Sequence, residues 1–287
     1  MDSAVRPLEI DEWLRFPWLI HGFSTRDGGV SSVYCPPDYR PTDYRPADYS
    51  AADLNLGFTA DDARDAVIEN RRRFVEALSP AQPLPLATVK QVHGSRVFAL
   101  REPAALHTPS GLIEADGLTT SLPEVLLAIL TADCVPILIA DTSKRVVTAL
   151  HAGWRGTVAG IVEEGIAAMQ ADHDSHPEDL IAAIGPSIGP CCYTVGEQLQ
   201  QEFSAAFSYA PKLFHKREGQ SYLDLWEANR RQLLSSGLAA QRIATVGLCT
   251  ACSRDPDGRR LFFSHRAEKG FTGRMMSVVG TTPAGPH

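Results

Sequence analysis

Three side chains in this 287-residue sequence have the chemistry to share a metal ion: His93 in KQVHGSRV, Cys134 in LTADCVPILIAD and His151 in TALHAGWRG. One thiolate and two imidazoles suit a borderline-soft cation such as zinc. Three protein ligands leave a fourth tetrahedral position for water or substrate, which is the pattern of a catalytic rather than a structural site. The three residues lie far apart along the chain, so their spacing does not select this reading alone. A strand-end histidine also serves as a hydrogen-bonded packing residue, and a cysteine beside apolar strands as a small buried hydrophobe. Asp133, next to Cys134, could shuttle a proton or orient a ligand imidazole, or it could cap backbone amides at a strand end.

The other cysteines read differently. Cys191 and Cys192 follow a Gly-Pro-rich loop, and adjacent cysteines do not easily chelate one tetrahedral ion together, so packing near a pocket is the expectation. Cys249-Thr-Ala-Cys252 is a CxxC, which suits redox chemistry or a second zinc, but a lone pair commits to neither.

Elements must bring such residues together. Leu19 to Ser31 reads as a strand ending in a turn at Asp27-Gly28-Gly29. A helix is expected from about Asp61 to Leu78, with Thr59 and Asp62 spaced as a capping box and Val67, Phe74, Val75 and Leu78 as its buried stripe. Ala87 to Leu100 and Val125 to Leu150 hold short Val/Ile/Leu runs, the mark of central strands buried on both faces. After the glycines of HAGWRG, residues Val158, Ile161, Val162, Ile166 and Met169 recur at helical spacing, so strand gives way to helix there. Further strands are expected at Ile181 to Ile184, Ile243 to Leu248, Leu261 to Phe263 and Met276 to Val279. Helices are expected at Val195 to Phe207 and Leu223 to Ser236, with Gly237 capping the second. Interleaved strands and helices imply an α/β chain with a mixed sheet, one domain over 1–287. The stretch PDYRPTDYRPADYS, Pro37 to Ser50, has prolines and little to bury, and reads as an exposed insertion.

Bulk properties narrow the partners. With 44% hydrophobic residues, the chain can fill a large core. A formal net charge of -7 argues against a nucleic-acid backbone as ligand and favours small molecules. No apolar run is long enough to cross a membrane, and the N-terminal residues do not follow a secretory pattern, so a cytoplasmic protein is expected. Six cysteines are too few for a disulfide scaffold in a chain of this length. Nothing demands more than a monomer.

HGFSTRDGGVS, KQVHG, EADGLTT, TADCVPILIAD, HAGWRGT, IGPSIGPCCYTVG and FFSHRAEKGFTGRMMSVVG occur in order from about His21 to Gly280. Together they resemble the YfiH-like family, also labelled laccase-domain or peptidoglycan-editing-factor proteins. The resemblance implies layers of mixed sheet with flanking helices, in a fold shared with bacterial toxin deamidases. It also implies one zinc held by His93, Cys134 and His151, phosphorolysis of adenosine, inosine and methylthioadenosine, and an adenosine deaminase activity. Deamination would use a water whose pKa zinc lowers to about 7. Phosphorolysis would instead need a cradle for phosphate, a task that suits the planar fork of arginine. Arg26 and Arg266 are the favoured candidates, ahead of Arg155 and Arg274, and each has an ion-pair role as its alternative. Copper-dependent polyphenol oxidation ranks lower, because the nine histidines include no His-x-His pair, although a His2Cys site can bind copper. A metal-free cysteine hydrolase with Cys134 as nucleophile and His151 as base is a further alternative, as are a peptidoglycan-editing role and a non-enzymatic binding protein.

Overall fold

The computed structural model describes residues 4–34, 52–102 and 112–282; the insertion expected at 37–50 lies outside them. The strands are β1 (Leu19–Phe23), β2 (Asp27–Ser31), β3 (Leu86–Ala87), β4 (Val97–Ala99), β5 (Gly117–Thr120), β6 (Leu126–Thr131), β7 (Val135–Asp141), β8 (Val147–Ala152), β9 (Leu180–Ile184), β10 (Thr194–Val195), β11 (Phe214–Arg217), β12 (Gln220–Leu223), β13 (Ile243–Thr245) and β14 (Met275–Thr281). The helices are α1 (Arg64–Leu78), α2 (Trp154–Val158), α3 (Ile161–His173), α4 (Glu197–Ala206) and α5 (Leu225–Ser235). A four-stranded sheet runs β1-β14-β6-β3, a six-stranded sheet β13-β9-β7-β8-β5-β4, and a small one β10-β12-β11. Parallel pairs (β3 with β6, β4 with β5, β13 with β9) join antiparallel ones, so the fold is mixed α/β as the residue pattern predicts.

Side-chain alternation along the central strands builds the layers. In β7, Leu138 and Ala140 face the four-stranded sheet and pack with Phe23, Leu127, Ile129 and Val279. Ile137 and Ile139 point the other way, against Ile161, Val162, Ile166 and Met169 of α3 and Leu225 and Leu233 of α5. A period of two thus gives one strand two apolar faces, and all seven residues of β7 are buried. The outer face of the four-stranded sheet takes Phe74 and Val75 of α1.

Several local expectations change. Asp27 to Ser31 is a second strand rather than a turn, because Asp27 and Ser31 both bridge to Asp53. Gly29 presses so closely on that partner that a Cβ would sit 2.1 Å from the Asp53 carbonyl oxygen. Helix α1 starts at Arg64 without a side-chain cap. Thr59 bonds the Tyr34 hydroxyl instead, and Asp62 accepts from Ser31 and Asn55. Between β3 and β4 the chain leaves the sheet to make the turn that carries His93. The helix after HAGWRG is broken in two at Gly160, which has φ 77°. Residues 261–263 form no strand; Phe262 and Phe263 fill a small core with Tyr34 and Met275 from a loop.

His21 in β1 supplies a pH test of the fold. Its Nε2 accepts the Ile10 amide at 2.8 Å, and the ring packs 4.9 Å from Trp13. Burial pushes its pKa down to about 4, against its backbone contacts with Ile10 and Leu19. An unfolded histidine takes up its proton near pH 6.5. The contribution of the neutral ring is therefore complete above about pH 6.5 and is lost as pH falls toward 4, by about 2 kcal/mol at pH 5. Urea denaturation at pH 7 and pH 5 should show a smaller acid-side loss for His21→Gln than for the wild type. Equal losses would remove His21 as the cause.

Candidate metal centre

The six-stranded sheet sets the site. Strands β5, β8 and β7 lie side by side, with Gly117 opposite Leu150 and Pro136 opposite His151. Asp116 just before β5, His151 near the end of β8 and Cys134 just before β7 therefore line up at one end of these strands. His93 arrives at the same end from the turn ahead of β4, which runs parallel to β5 with Val97 opposite Gly117.

The ligand atoms of His93, Cys134 and His151 all lie within 4.8 Å of one another. The two imidazole rings stand 4.9 Å apart at 74°. His151 is buried, Cys134 half-buried and His93 exposed, so the cluster is closed on the sheet side and open on the other. Gly153 lets the chain pass its centre: a Cβ there would meet Cys134 Sγ at 3.1 Å and His93 Cδ2 at 3.2 Å. Bond lengths of about 2.0 to 2.3 Å to nitrogen and sulfur place tetrahedral donor atoms roughly 3.3 to 3.8 Å apart, within the reach of small rotamer adjustments here. The three residues can hold a metal ion.

Electrostatics favour the ligating thiolate and leave its proton on His151. Burial by itself would raise the Cys134 thiol, but the charge and hydrogen bond of His151, helped by His93, bring it below its ordinary value. Burial likewise opposes protonation of His151, while Cys134 and Asp116 outweigh it and raise the imidazole. The pair is thus poised as thiolate and imidazolium, and a cation takes the place of the shared proton.

Asp116, in the EADGLTT motif, is a residue sequence reasoning missed. Its Oδ1 lies 2.8 Å from His151 Nδ1 and accepts the His93 amide at 2.9 Å. Its Oδ2 accepts the amides of Gly94 at 2.7 Å and Val92 at 3.2 Å. One buried carboxylate therefore orients one ligand imidazole and ties down the turn bearing the other, where His93 sits at φ 63°. Burial works against this carboxylate, yet His151 and the Gly94 and His93 amides hold its pKa below the ordinary value. The usable signal was an acidic residue directly before a strand, in a motif that contains no ligand.

Asp133 does not touch the imidazoles among its described bonds. Its carboxylate accepts the Thr250 and Ser264 hydroxyls, both at 2.7 Å, and the Arg266 amide at 2.6 Å. These bonds hold Asp133 at φ 91° and fix the turn that presents Cys134.

Arg26 is buried, with Nε and Nη2 on Asp53 at 2.9 Å, Nη1 on Glu268 at 2.6 Å and Nη2 also on the Tyr34 carbonyl. The expectation that it cradles phosphate gives way to a structural ion-pair role, because the guanidinium is already spent on two carboxylates. Arg274, half-buried, places Nη1 on the carbonyls of Thr272 and Gly273, both at 2.9 Å. Arg266 differs: it is exposed, held through Nη1 by Thr194 and set 5.2 Å from the Tyr193 ring. Tyr193 lies within electrostatic reach of Cys134, Asp133, Arg155 and Arg266. Burial, then the negative charge of Cys134, pushes its hydroxyl up to about 12. Tyr193 was not singled out from the sequence.

Cys191 and Cys192 do more than pack. They meet Cys249 and Cys252, and all four sulfurs lie within 4.8 Å of one another. The CxxC has its second pair after all.

No helix among the described residues is long and apolar enough to cross a membrane. Residues 20–282 match the family described as multi-copper polyphenol oxidoreductase laccase. The chain is 36% identical to the purine nucleoside phosphorylase YlmD of Geobacillus stearothermophilus, over 93% of this chain and 94% of that one. It is 34% identical to the purine nucleoside phosphorylase YfiH of Escherichia coli, over 89% and 91%. A crystal structure of the Bacillus licheniformis hypothetical protein YfiH superposes with a TM-score of 0.79 at 32% identity, covering 97% of this chain and 99% of that one. Motifs, fold and sequence identity converge: the chain belongs to the laccase-like family that includes YfiH and YlmD.

Proposed function

We propose that this chain is a zinc-dependent purine nucleoside phosphorylase that acts on adenosine, with inosine and methylthioadenosine as related substrates and a deaminase activity on adenosine. The observation that carries the reading is the open cluster of His93, Cys134 and His151 oriented by Asp116, in a chain whose relatives bear the phosphorylase name. Its partners are then nucleosides and phosphate, in a cytoplasm where its thiols stay reduced.

In phosphorolysis a phosphate oxygen bonds the ribose anomeric carbon, the bond to the purine nitrogen breaks, and the base leaves with that electron pair and gains a proton. Zinc held by His93, Cys134 and His151 would supply Lewis-acid stabilisation of developing negative charge. Arg266 has Nε and Nη2 to offer the phosphate, while Nη1 is anchored by Thr194. Tyr193 keeps its proton at neutral pH and can donate a hydrogen bond from Oη to substrate. Asp116 keeps the His151 proton on Nδ1, which turns Nε2 toward Cys134.

Mass spectrometry of adenosine incubated with the protein, with and without phosphate, tests this. Adenine with ribose-1-phosphate is expected only when phosphate is present, and inosine in either buffer. Adenine released equally fast without phosphate would replace phosphorolysis by hydrolysis.

A second reading has one specific observation behind it. Cys134, His151 and Asp116 also stand in the order thiol, imidazole, carboxylate of a cysteine hydrolase. Protein free of bound metal, with rapid alkylation of Cys134, would favour it; stoichiometric zinc that protects Cys134 favours the phosphorylase.

A further inference from the structure

We infer that Cys191, Cys192, Cys249 and Cys252 form a second metal site, separate from the first, in which four thiolates hold one tetrahedral zinc ion. The four sulfurs lie within 4.8 Å of one another, and Cys191 Sγ is 3.5 Å from Cys252 Sγ. A zinc–sulfur bond of 2.3 Å gives a tetrahedral edge of about 3.8 Å, so the sulfurs stand near the spacing a single ion requires. A cluster of several irons would spread its thiolates farther apart. Four soft donors of one kind select zinc, and four protein ligands make a closed, structural site.

Backbone geometry supports the same conclusion. The objection to adjacent cysteines holds in a strand, where neighbours point to opposite faces. Here Cys191 and Cys192 sit in a turn, with the amides of Cys192 and Tyr193 both donating to the Gly189 carbonyl at 3.0 Å. Cys249 to Cys252 forms the facing turn, closed by the Ser253 amide on the Cys249 carbonyl at 2.9 Å. The Gly189 amide also donates to Cys249 Sγ at 3.2 Å, a contact that strengthens when the sulfur is a thiolate. Two turns more than fifty residues apart in sequence thus aim four sulfurs at one point.

The position gives the ion a task. Thr250, inside the CxxC, donates to Asp133, which fixes the turn of Cys134. Tyr193, next to Cys192, lies within electrostatic reach of Cys134. An ion across the two turns would clamp Thr250, and through it Asp133 and the turn of Cys134, without touching the first centre.

Two full-length variants separate the sites. His93→Ala/Cys134→Ser/His151→Ala removes the first donor set; Cys191→Ser/Cys252→Ser changes two exposed residues of the second. Elemental analysis of protein purified under reducing conditions should give two zinc ions per wild-type chain and one in each variant. The first variant, reloaded with cobalt, should show the intense thiolate-to-cobalt charge transfer of a four-sulfur tetrahedral site. Hydrogen exchange at residues 189–194 and 249–254 should quicken in the second variant while β7 and β8 keep their protection. The proposal fails if the first variant binds no metal or binds iron. It fails equally if mass spectrometry finds Cys191 and Cys252 joined in a disulfide in the purified wild type. The proposed phosphorylase activity can fail without changing these readouts, because none of them measures turnover.

Discussion

Cys134→Ser is expected to lower phosphorolysis of adenosine by more than about a thousandfold, or roughly 4 kcal/mol of transition-state stabilisation, while leaving the fold in place. Serine keeps the size of the side chain but exchanges a soft thiolate for a neutral hydroxyl, a poor ligand for zinc. It also withdraws the negative charge that raises His151, so the imidazole loses a partner as well as a neighbour. The half-buried position just before β7 asks little of the core, so denaturation midpoints should move only slightly. His93→Ala and His151→Ala each leave two protein ligands at this centre and should lower its occupancy too. Because the four-cysteine site is expected to keep its own ion, the decisive quantity is the change per chain, from two zinc ions toward one. Full turnover in any of the three variants would place the chemistry elsewhere.

Asp116→Asn should weaken metal binding at the first centre by about 10- to 100-fold, equivalent to roughly 1.4 to 2.8 kcal/mol. Both oxygens of Asp116 accept, from His151 and His93 on one side and from Gly94 and Val92 on the other. An amide offers an acceptor to only one side. If its NH2 faces His151, the ring proton moves from Nδ1 to Nε2 and the ligating lone pair is lost. If it faces Gly94, two donors meet and the His93 turn is pushed open. Competition with a chelator measures the affinity directly, and excess zinc should restore part of kcat, which would not happen if the variant had merely unfolded. An Asp116→Asn protein with wild-type metal affinity would show that the carboxylate is a structural brace only. Asp133→Asn is the useful contrast, since Asp133 braces the neighbouring turn without touching an imidazole.

Much of this protein is legible in its sequence because the relevant signals are local. The double-sided apolar runs of β7 and β8 identify central strands, since burial on both faces leaves no polar alternation to confuse them. The chemistry of His93, Cys134 and His151 is written in their residue types, and specific motifs surround each one. What local signals do not contain is registry between distant segments. Asp116 becomes a partner of His151 only because β5 pairs with β8, and Arg26 becomes a structural ion pair only because Asp53 and Glu268 arrive from far along the chain. The turn expected at Gly28-Gly29 is a strand for the same reason: its bridging partner, Asp53, comes from beyond the insertion. The cysteines make the point most sharply. Cys191-Cys192 and Cys249-Thr-Ala-Cys252 are each too weak a pattern to imply a metal, and only the folded chain, by setting two turns face to face, brings their four sulfurs together. Residue type determines which chemistry is available; long-range strand and turn pairing decides which residues can take part in it, because donor atoms must meet within a few ångströms and sequence separation carries no information about that distance.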